Sequence, residues 1–425
     1  MVAAALAARG FEVVGVDIDE RTVDLVARGI APVLEPGIED LYAAAHGRLR
    51  ATADLPAAVA ETDASILVVP TPSEPDGGYS LRYVLDAAEA IGSALRRKRS
   101  RHLVVLRSTV LPGDCEGRVV PALERASGLR CGPDFGLVYN PDFIALGSVI
   151  RDLFAPGLVL IGSPSAHDAA RWCEVYTRFL DVAPPVETMS CANAELAKVA
   201  LNSFVTMKIT FANLLAQVCQ RLPGGDVDAV TGALARDARI GAPYLRGGLG
   251  YGGPCFPRDN RALAHAAARL GVDFPLAAAT DEANDSIAPQ VADLVSSRVP
   301  PGARVAVLGL AYKPGTPVVE ASQALALARI LAERGLSVVA YDPQASAEVD
   351  TALGPRVARA ASAKECVAGS DAVVIATPWE EFREIALLLP SGTGAPIVID
   401  CFGLLGDRSS RPTHVVRLGV HSSVV

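Results

Sequence analysis

Short apolar runs rich in β-branched residues alternate with helical stretches toward both ends of the chain. Gly10-Phe11-Glu12-Val13-Val14-Gly15-Val16-Asp17 reads as a helix end, a strand and an acidic tip. Ser65-Ile66-Leu67-Val68-Val69-Pro70 and His102-Leu103-Val104-Val105-Leu106-Arg107 follow as buried strands. Toward the other end, Arg304–Gly309, Ser337–Asp342 and Ala372–Ala376 repeat the pattern. Strand and helix in alternation imply a parallel, doubly wound sheet, and the two groups of runs imply two of them.

An internal repeat supports the duplication. Leu6-Ala7-Ala8-Arg9-Gly10, Val13-Val14 and Asp17 match Leu331-Ala332-Glu333-Arg334-Gly335, Val338-Val339 and Asp342. The second copy is preceded by a strand and a glycine turn, Val305 to Gly309; the first is preceded by Met1 and Val2 alone. A dinucleotide fold seats pyrophosphate on such a turn, at a helix N-terminus. The expectation is therefore a first sheet without its first strand and phosphate turn.

The middle of the chain has a different texture. Residues 192–221 contain no Gly or Pro and show helical periodicity, which predicts one long helix. At 100° per residue, Glu195, Lys198, Asn202 and Asn213 share a stripe on a helix otherwise rich in Ala, Leu, Val and Phe. Such a stripe is costly to bury unless it is paired or used. It reads either as one wet face or as a Lys and an Asn laid into a site.

Composition narrows the function. The formal net charge is −8 with no basic block, so no nucleic-acid partner is expected. No apolar run reaches the length of a membrane span, and no signal peptide opens the chain, so no membrane partner is expected and a cytoplasmic location is. The eight cysteines are scattered with no C-x-x-C pair, which fits reduced thiols and predicts no metal site.

The segment with the most specific chemistry is Gly248-Leu249-Gly250-Tyr251-Gly252-Gly253-Pro254-Cys255-Phe256-Pro257-Arg258-Asp259. Its glycines allow a close backbone approach to a ligand, with a thiol between prolines and a carboxylate four residues on. With Glu195-Leu-Ala-Lys198-Val-Ala-Leu-Asn202 upstream, it resembles the UDP-glucose/GDP-mannose dehydrogenase family. So do Val69-Pro70-Thr71-Pro72, Arg107-Ser108-Thr109-Val110, Asn140-Pro141-Asp142-Phe143, Asp237-Ala-Arg239-Ile-Gly241 and Gly309-Leu-Ala-Tyr312-Lys313-Pro314, in the family's order.

The resemblance implies an α/β protein with two Rossmann-like domains joined by a helical domain with a long central helix. Its parts would be an NAD-binding domain over residues 1–185, a helical dimerisation and catalytic domain over 186–292, and a nucleotide-sugar domain over 293–425. The implied activity is NAD-dependent oxidation of the C6 alcohol of a nucleotide sugar to a carboxylate, for polysaccharide biosynthesis. UDP-glucose is the default substrate; UDP-N-acetyl-mannosamine and GDP-mannose are alternatives. A catalytically impaired relative that only binds nucleotide sugar is the competing reading.

Residue roles follow by the same resemblance. Cys255 would be the nucleophile, Lys198 and Asn202 would stabilise oxyanions, Asp259 would move protons with Lys198, and Thr109 would hold a water. Asp142 stands where the family has an acid–base glutamate, one methylene longer. Asp17, Pro70, Thr71, Thr109 and Arg258 would face NAD. Phe143, Tyr244, Gly250, Tyr251, Gly252, Gly253 and Lys313, with Lys198 and Asn202, would face the substrate. Arg239 would reach the substrate of a neighbouring subunit, which implies a homodimer. Leu146 replaces a second glutamate, Arg258 replaces a lysine, and Thr316–Ser322 lacks an arginine expected to meet the substrate.

Overall fold

The computed structural model describes residues 1–345, 349–390, 392, 394–406 and 414–421. The chain divides into two compact units, Met1–Ala200 and Leu201–Val425.

The first unit contains α1 (Val2–Ala8), β1 (Val13–Val16), β2 (Leu49–Thr52), β3 (Ala64–Leu67), β4 (His102–Leu106), α2 (Val120–Ser127), β5 (Phe135–Tyr139), β6 (Val159–Gly162), α3 (Ala166–Phe179) and β7 (Val186–Met189). Two separate ladders form: β1 pairs with β2, and β3 to β7 make a five-stranded sheet in chain order. All pairings are parallel except β5 with β6, which meet antiparallel at Tyr139 and Gly162. β4 and β5 are buried along their whole length, as their continuous apolar runs require.

A 31-residue helix, α4 (Cys191–Arg221), runs from the first unit into the second. It is long and apolar enough to cross a membrane by length and composition, which qualifies the reading that no stretch reaches a span. Its stripe is buried instead: Glu195 is 0% exposed, Lys198 7%, Asn202 9% and Asn213 2%. The wet-face alternative is thereby excluded.

The second unit continues with α5 (Phe256–Arg269), α6 (Pro275–Asp285), β8 (Arg304–Leu308), α7 (Gln323–Glu333), β9 (Ser337–Tyr341), β10 (Val357–Arg359), β11 (Ala372–Ile375), β12 (Ile397–Asp400) and β13 (Val415–Arg417). Its sheet is fully parallel, in the order β10-β9-β8-β11-β12-β13. This is the doubly wound order in which the chain reverses direction beside its first strand. β8 lies between β9 and β11. By the repeat, β1 corresponds to β9, yet among the described residues no ladder joins β1 to β3.

Candidate active site

Three predicted motifs follow adjacent strands of the first unit, at the carboxyl ends where open α/β sheets bind ligands. Val69–Pro72 follows β3, Arg107–Val110 follows β4, and Asn140–Phe143 follows β5. Small hydroxyls fasten the first two. Ser108 Oγ donates to the Val69 carbonyl at 2.7 Å and accepts the Val69 N–H at 2.9 Å, while Thr71 Oγ1 donates to the Thr109 carbonyl at 2.9 Å. Thr71 is buried, so its hydroxyl sets the Thr109 backbone; Pro70 is exposed beside it.

The third motif is fixed from behind. Asn140 Nδ2 donates to the Leu160 carbonyl at 2.9 Å, and its Oδ1 accepts Trp172 Nε1 at 2.8 Å and the Tyr176 hydroxyl. Arg107 grips the Asp142 carboxylate with Nε at 3.0 Å and with Nη2. Lys198 reaches the same turn from α4: its Nζ donates to the Asp142 carbonyl at 2.7 Å and stands 4.6 Å from the Phe143 ring centroid. Thus Lys198 meets the Asp142 carbonyl and the Phe143 ring. The motif alone gives Arg107 no role of its own; its place immediately after a buried strand, at a carboxyl edge, is the signal that marks it.

One turn before Lys198, Glu195 accepts the N–H groups of Gly113 at 2.6 Å and Cys115 at 2.7 Å. These open a π-turn, Cys115–Val119, that leads into α2. Burial pushes the Glu195 carboxyl above its usual range, against the opposing pull of the Cys115 thiol and the two amides. The same burial raises the Cys115 thiol well above its ordinary value.

In the second unit, Cys255 is exposed at the N-cap of α5. The start of a helix favours negative charge. Asp259, one turn on, is 1% exposed; it accepts Asn202 Nδ2 at 2.6 Å and Arg258 Nε at 3.2 Å, and its N–H donates to the Cys255 carbonyl at 2.8 Å. Asn202 lies four residues after Lys198 on α4, so their side chains leave neighbouring turns of one helix face. Tyr312 lies close to the thiol; burial first, then proximity to Cys255, raises its hydroxyl to about 12. Lys313 Nζ stands 5.8 Å from the Tyr312 ring centroid.

The glycine run is packed against protein on the side where a Cβ would stand. A Cβ on Gly250 would lie 2.4 Å from Asn284 Oδ1, on Gly252 2.3 Å from the Ala321 carbonyl, and on Gly253 2.6 Å from the Tyr312 ring. The glycines serve close backbone packing around the thiol. Asn213 holds the start of the run by accepting the Gly248 N–H at 2.8 Å, and Asn284 brackets Tyr251 through its N–H (2.8 Å) and carbonyl (3.1 Å). Tyr251 itself is 6% exposed and turns its hydroxyl to Asp281 and Asn260. Burial, then Asp281, raises that hydroxyl far above its ordinary value.

The remaining candidates are more open. Arg239 is exposed and doubly hydrogen-bonded to Asp237, with Nη2 at 2.6 Å and Nε at 3.0 Å. Lys208 secures the same loop through the Ile240 and Gly241 carbonyls at 3.0 and 3.2 Å. Tyr244 is 55% exposed with φ 65°, its ring edge-on to Phe256 at 6.5 Å.

The repeated aspartates separate the two sheets. Asp342 is buried and accepts the N–H groups of Leu310 at 2.8 Å and Ala311 at 2.9 Å, so the chain's own carboxylate fills that glycine turn. Asp17 is exposed at the tip of β1 and accepts only the Asp19 N–H at 2.9 Å among the described contacts. Its remaining lone pairs suit ribose hydroxyls, which makes the first unit the one fitted to NAD.

Comparison with known proteins decides the family. The chain matches the UDP-glucose/GDP-mannose dehydrogenase family in its NAD binding domain over residues 1–180, its central domain over 192–286 and its UDP binding domain over 306–407.

The chain belongs to the UDP-glucose/GDP-mannose dehydrogenase family.

It is 38% identical over 388 residues to a UDP-glucose 6-dehydrogenase of Haloferax volcanii, spanning 90% of each protein. It is 33% identical over 422 residues to a GDP-mannose 6-dehydrogenase of Pseudomonas syringae, spanning 96% of this chain and 94% of that one. A UDP-glucose dehydrogenase structure from Pyrobaculum islandicum superposes with a TM-score of 0.88 at 34% identity, covering 99% of this chain and 95% of that one. The chain is accordingly an NAD-dependent nucleotide-sugar dehydrogenase.

Proposed function

We propose that this family member oxidises the C6 alcohol of UDP-glucose to the carboxylate of UDP-glucuronate, forming two NADH per sugar. The observation that carries the reading is an exposed thiol, Cys255, at the head of α5, with Asp259 and Asn202 hydrogen-bonded immediately behind it. Asp17, Pro70, Thr71, Thr109 and Arg258 would hold NAD, with Asp17 toward its adenosine ribose, and the cofactor would supply the acceptor for each hydride. A 2′-phosphate would be repelled by Asp17, hence NAD and not NADP.

In this reading the C6 hydroxyl proton passes toward Asp259 and Lys198 as the first hydride leaves, giving an aldehyde. The Cys255 thiolate adds to it, and Lys198 and Asn202 hydrogen-bond the thiohemiacetal oxygen. Loss of the second hydride leaves a thioester. Water held by Thr109 then cleaves the C–S bond, releasing the acid and returning the thiol. Phe143, Tyr244, the Gly250–Gly253 run with Tyr251, and Lys313 line the sugar nucleotide. The parts divide at residues 1–185, 186–292 and 293–425.

A homodimer, with Arg239 serving the partner subunit, agrees with the apolar face of α4. Phe204 (59% exposed), Phe211 (51%), Val218 (59%) and the following Leu222 (55%) recur at helical spacing on a segment that also has a buried face. A cytoplasmic role in supplying uronic acids for a polysaccharide fits an enzyme none of whose eight cysteines forms a disulfide.

UDP-glucose is preferred because both the Haloferax and Pyrobaculum relatives carry that name, against GDP-mannose for the Pseudomonas relative. Steady-state NADH formation with UDP-glucose, GDP-mannose and UDP-N-acetyl-mannosamine tests it. The expected kcat/KM is highest for UDP-glucose by about tenfold or more, equivalent to about 1.4 kcal/mol of transition-state discrimination. A higher value for either other sugar overturns the assignment.

A further inference from the structure

The resemblance gives Asp142 an acid–base role, but its surroundings point to a different one. The Arg107 side chain is 5% exposed and that of Asp142 18%, and the guanidinium meets both carboxylate oxygens. A bidentate pair of this kind is strong and directional, and it ties up one lone pair on each carboxylate oxygen. The cavity against the pair, bounded also by Asn140 and Tyr176, measures about 20 Å³. That volume holds about one water and no sugar group.

The main chain of Asp142 points elsewhere. Its carbonyl accepts Lys198 Nζ at 2.7 Å, and the next residue, Phe143, presents its ring to the same ammonium at 4.6 Å. Lys198 is only 7% exposed, so where its charge sits depends on groups that cannot move away. A loose carboxylate on this turn would compete with the carbonyl for the ammonium and draw it out of place. Arg107 removes that competitor by neutralising it. Asn140, tied to Leu160, Trp172 and Tyr176, fixes the turn from the opposite side.

We propose that Arg107 and Asp142 are positioning residues for Lys198, and that Asp142 is not the acid–base group of the reaction. The proposal rests on the dehydrogenase reading for the task of Lys198, but the geometry it asserts does not need turnover to be tested.

The first arm therefore uses no sugar. The purified chain and its Arg107→Met, Arg107→Lys and Asp142→Asn variants are labelled with trace acetic anhydride, and acetylation of Lys198 is read by peptide mass spectrometry against exposed Lys364. A carboxylate freed by Arg107→Met would pair with the ammonium and hold it protonated, so Lys198 labelling should slow about threefold or more in that variant, with partial return in Arg107→Lys, whereas Asp142→Asn, which frees no carboxylate and keeps the carbonyl anchor, should stay within about twofold of wild type. Unchanged labelling in Arg107→Met overturns the proposal.

The second arm follows NADH formation and the mass of the Cys255 peptide after mixing with UDP-glucose and NAD. A positioning role predicts that Asp142→Asn keeps turning over within about tenfold of wild type, without accumulating a sugar adduct. Loss of a general base would cost about 10²–10⁴ and stall the enzyme as a thioester; that stalled adduct overturns the proposal. If wild type oxidises no nucleotide sugar, the function assigned above fails, and the labelling arm still decides the role of the pair.

Discussion

Glu195→Ala isolates the buried carboxylate that joins α4 to the loop between Thr109 and α2. Glu195 is 0% exposed and accepts two backbone N–H groups, from Gly113 at 2.6 Å and Cys115 at 2.7 Å. Removing it orphans the buried Cys115 N–H, at about 1–3 kcal/mol, while water can replace it at the exposed Gly113. Part of that loss is offset, because the carboxylate itself is unfavourably desolvated. A net destabilisation of about 1–3 kcal/mol follows, or a fall in Tm of about 2–12 °C for a unit of this size. Scanning calorimetry of the purified chain reads it in the transition of residues 1–200. Glu195→Gln, which keeps one acceptor, should fall between. The pH dependence has a definite sign. The folded-state pKa lies above 4.5, so the folded form retains a proton that the unfolded form has released, and this group's contribution to stability decreases as pH rises through that window. The deficit of Glu195→Gln should therefore narrow with rising pH. A Tm change in Glu195→Ala under about 2 °C would refute the reasoning, since it implies less than about 1 kcal/mol for the orphaned Cys115 amide.

Gly253→Ala combines a φ of +85° with a Cβ 2.6 Å from the Tyr312 ring, so about 1–3 kcal/mol of stability and most of the reactivity of Cys255 toward iodoacetamide should be lost. Thermal melts and alkylation rates check both. Phe211→Glu places a charge on the exposed apolar face of α4 and should shift the mass in light scattering from that of the proposed dimer to that of a monomer, with the fold retained by circular dichroism. His102, held near pKa 4 chiefly by burial, stays neutral in the folded state while the unfolded chain takes up a proton near 6.5. Stability should therefore fall as pH drops from about 6.5 toward 4, and His102→Asn should flatten that limb of the melting curve.

Much of this molecule was legible in its residue pattern because the signals were local. The run without Gly or Pro over 192–221 became α4, Cys191–Arg221, and the repeat around Asp17 and Asp342 marked equivalent strand tips. The polar stripe on α4 was correctly read as costly, yet its members do different work. Glu195 and Asn213 hold backbone amides, while Lys198 and Asn202 bond the turn of Asp142 and the carboxylate of Asp259. What the pattern left hidden depends on which strands become neighbours. Arg107 and Asp142 are 35 positions apart and meet because β4 and β5 pair in register from His102 to Leu106. The glycine run pointed to close approach, but which groups it packs on, Asn284, Ala321 and Tyr312, is set by tertiary neighbours that the run itself does not encode. The division of the first unit into two ladders likewise follows from pairing, which no run of hydrophobic residues specifies by itself.

The central claim is that one thiol converts an alcohol oxidation into a four-electron one. The most direct test counts NADH formed per UDP-glucose consumed, for wild type and for Cys255→Ala. About two NADH per sugar are expected from wild type and at most about one, ending at the aldehyde, from the variant. Two NADH per sugar from Cys255→Ala, or one from wild type, would contradict it.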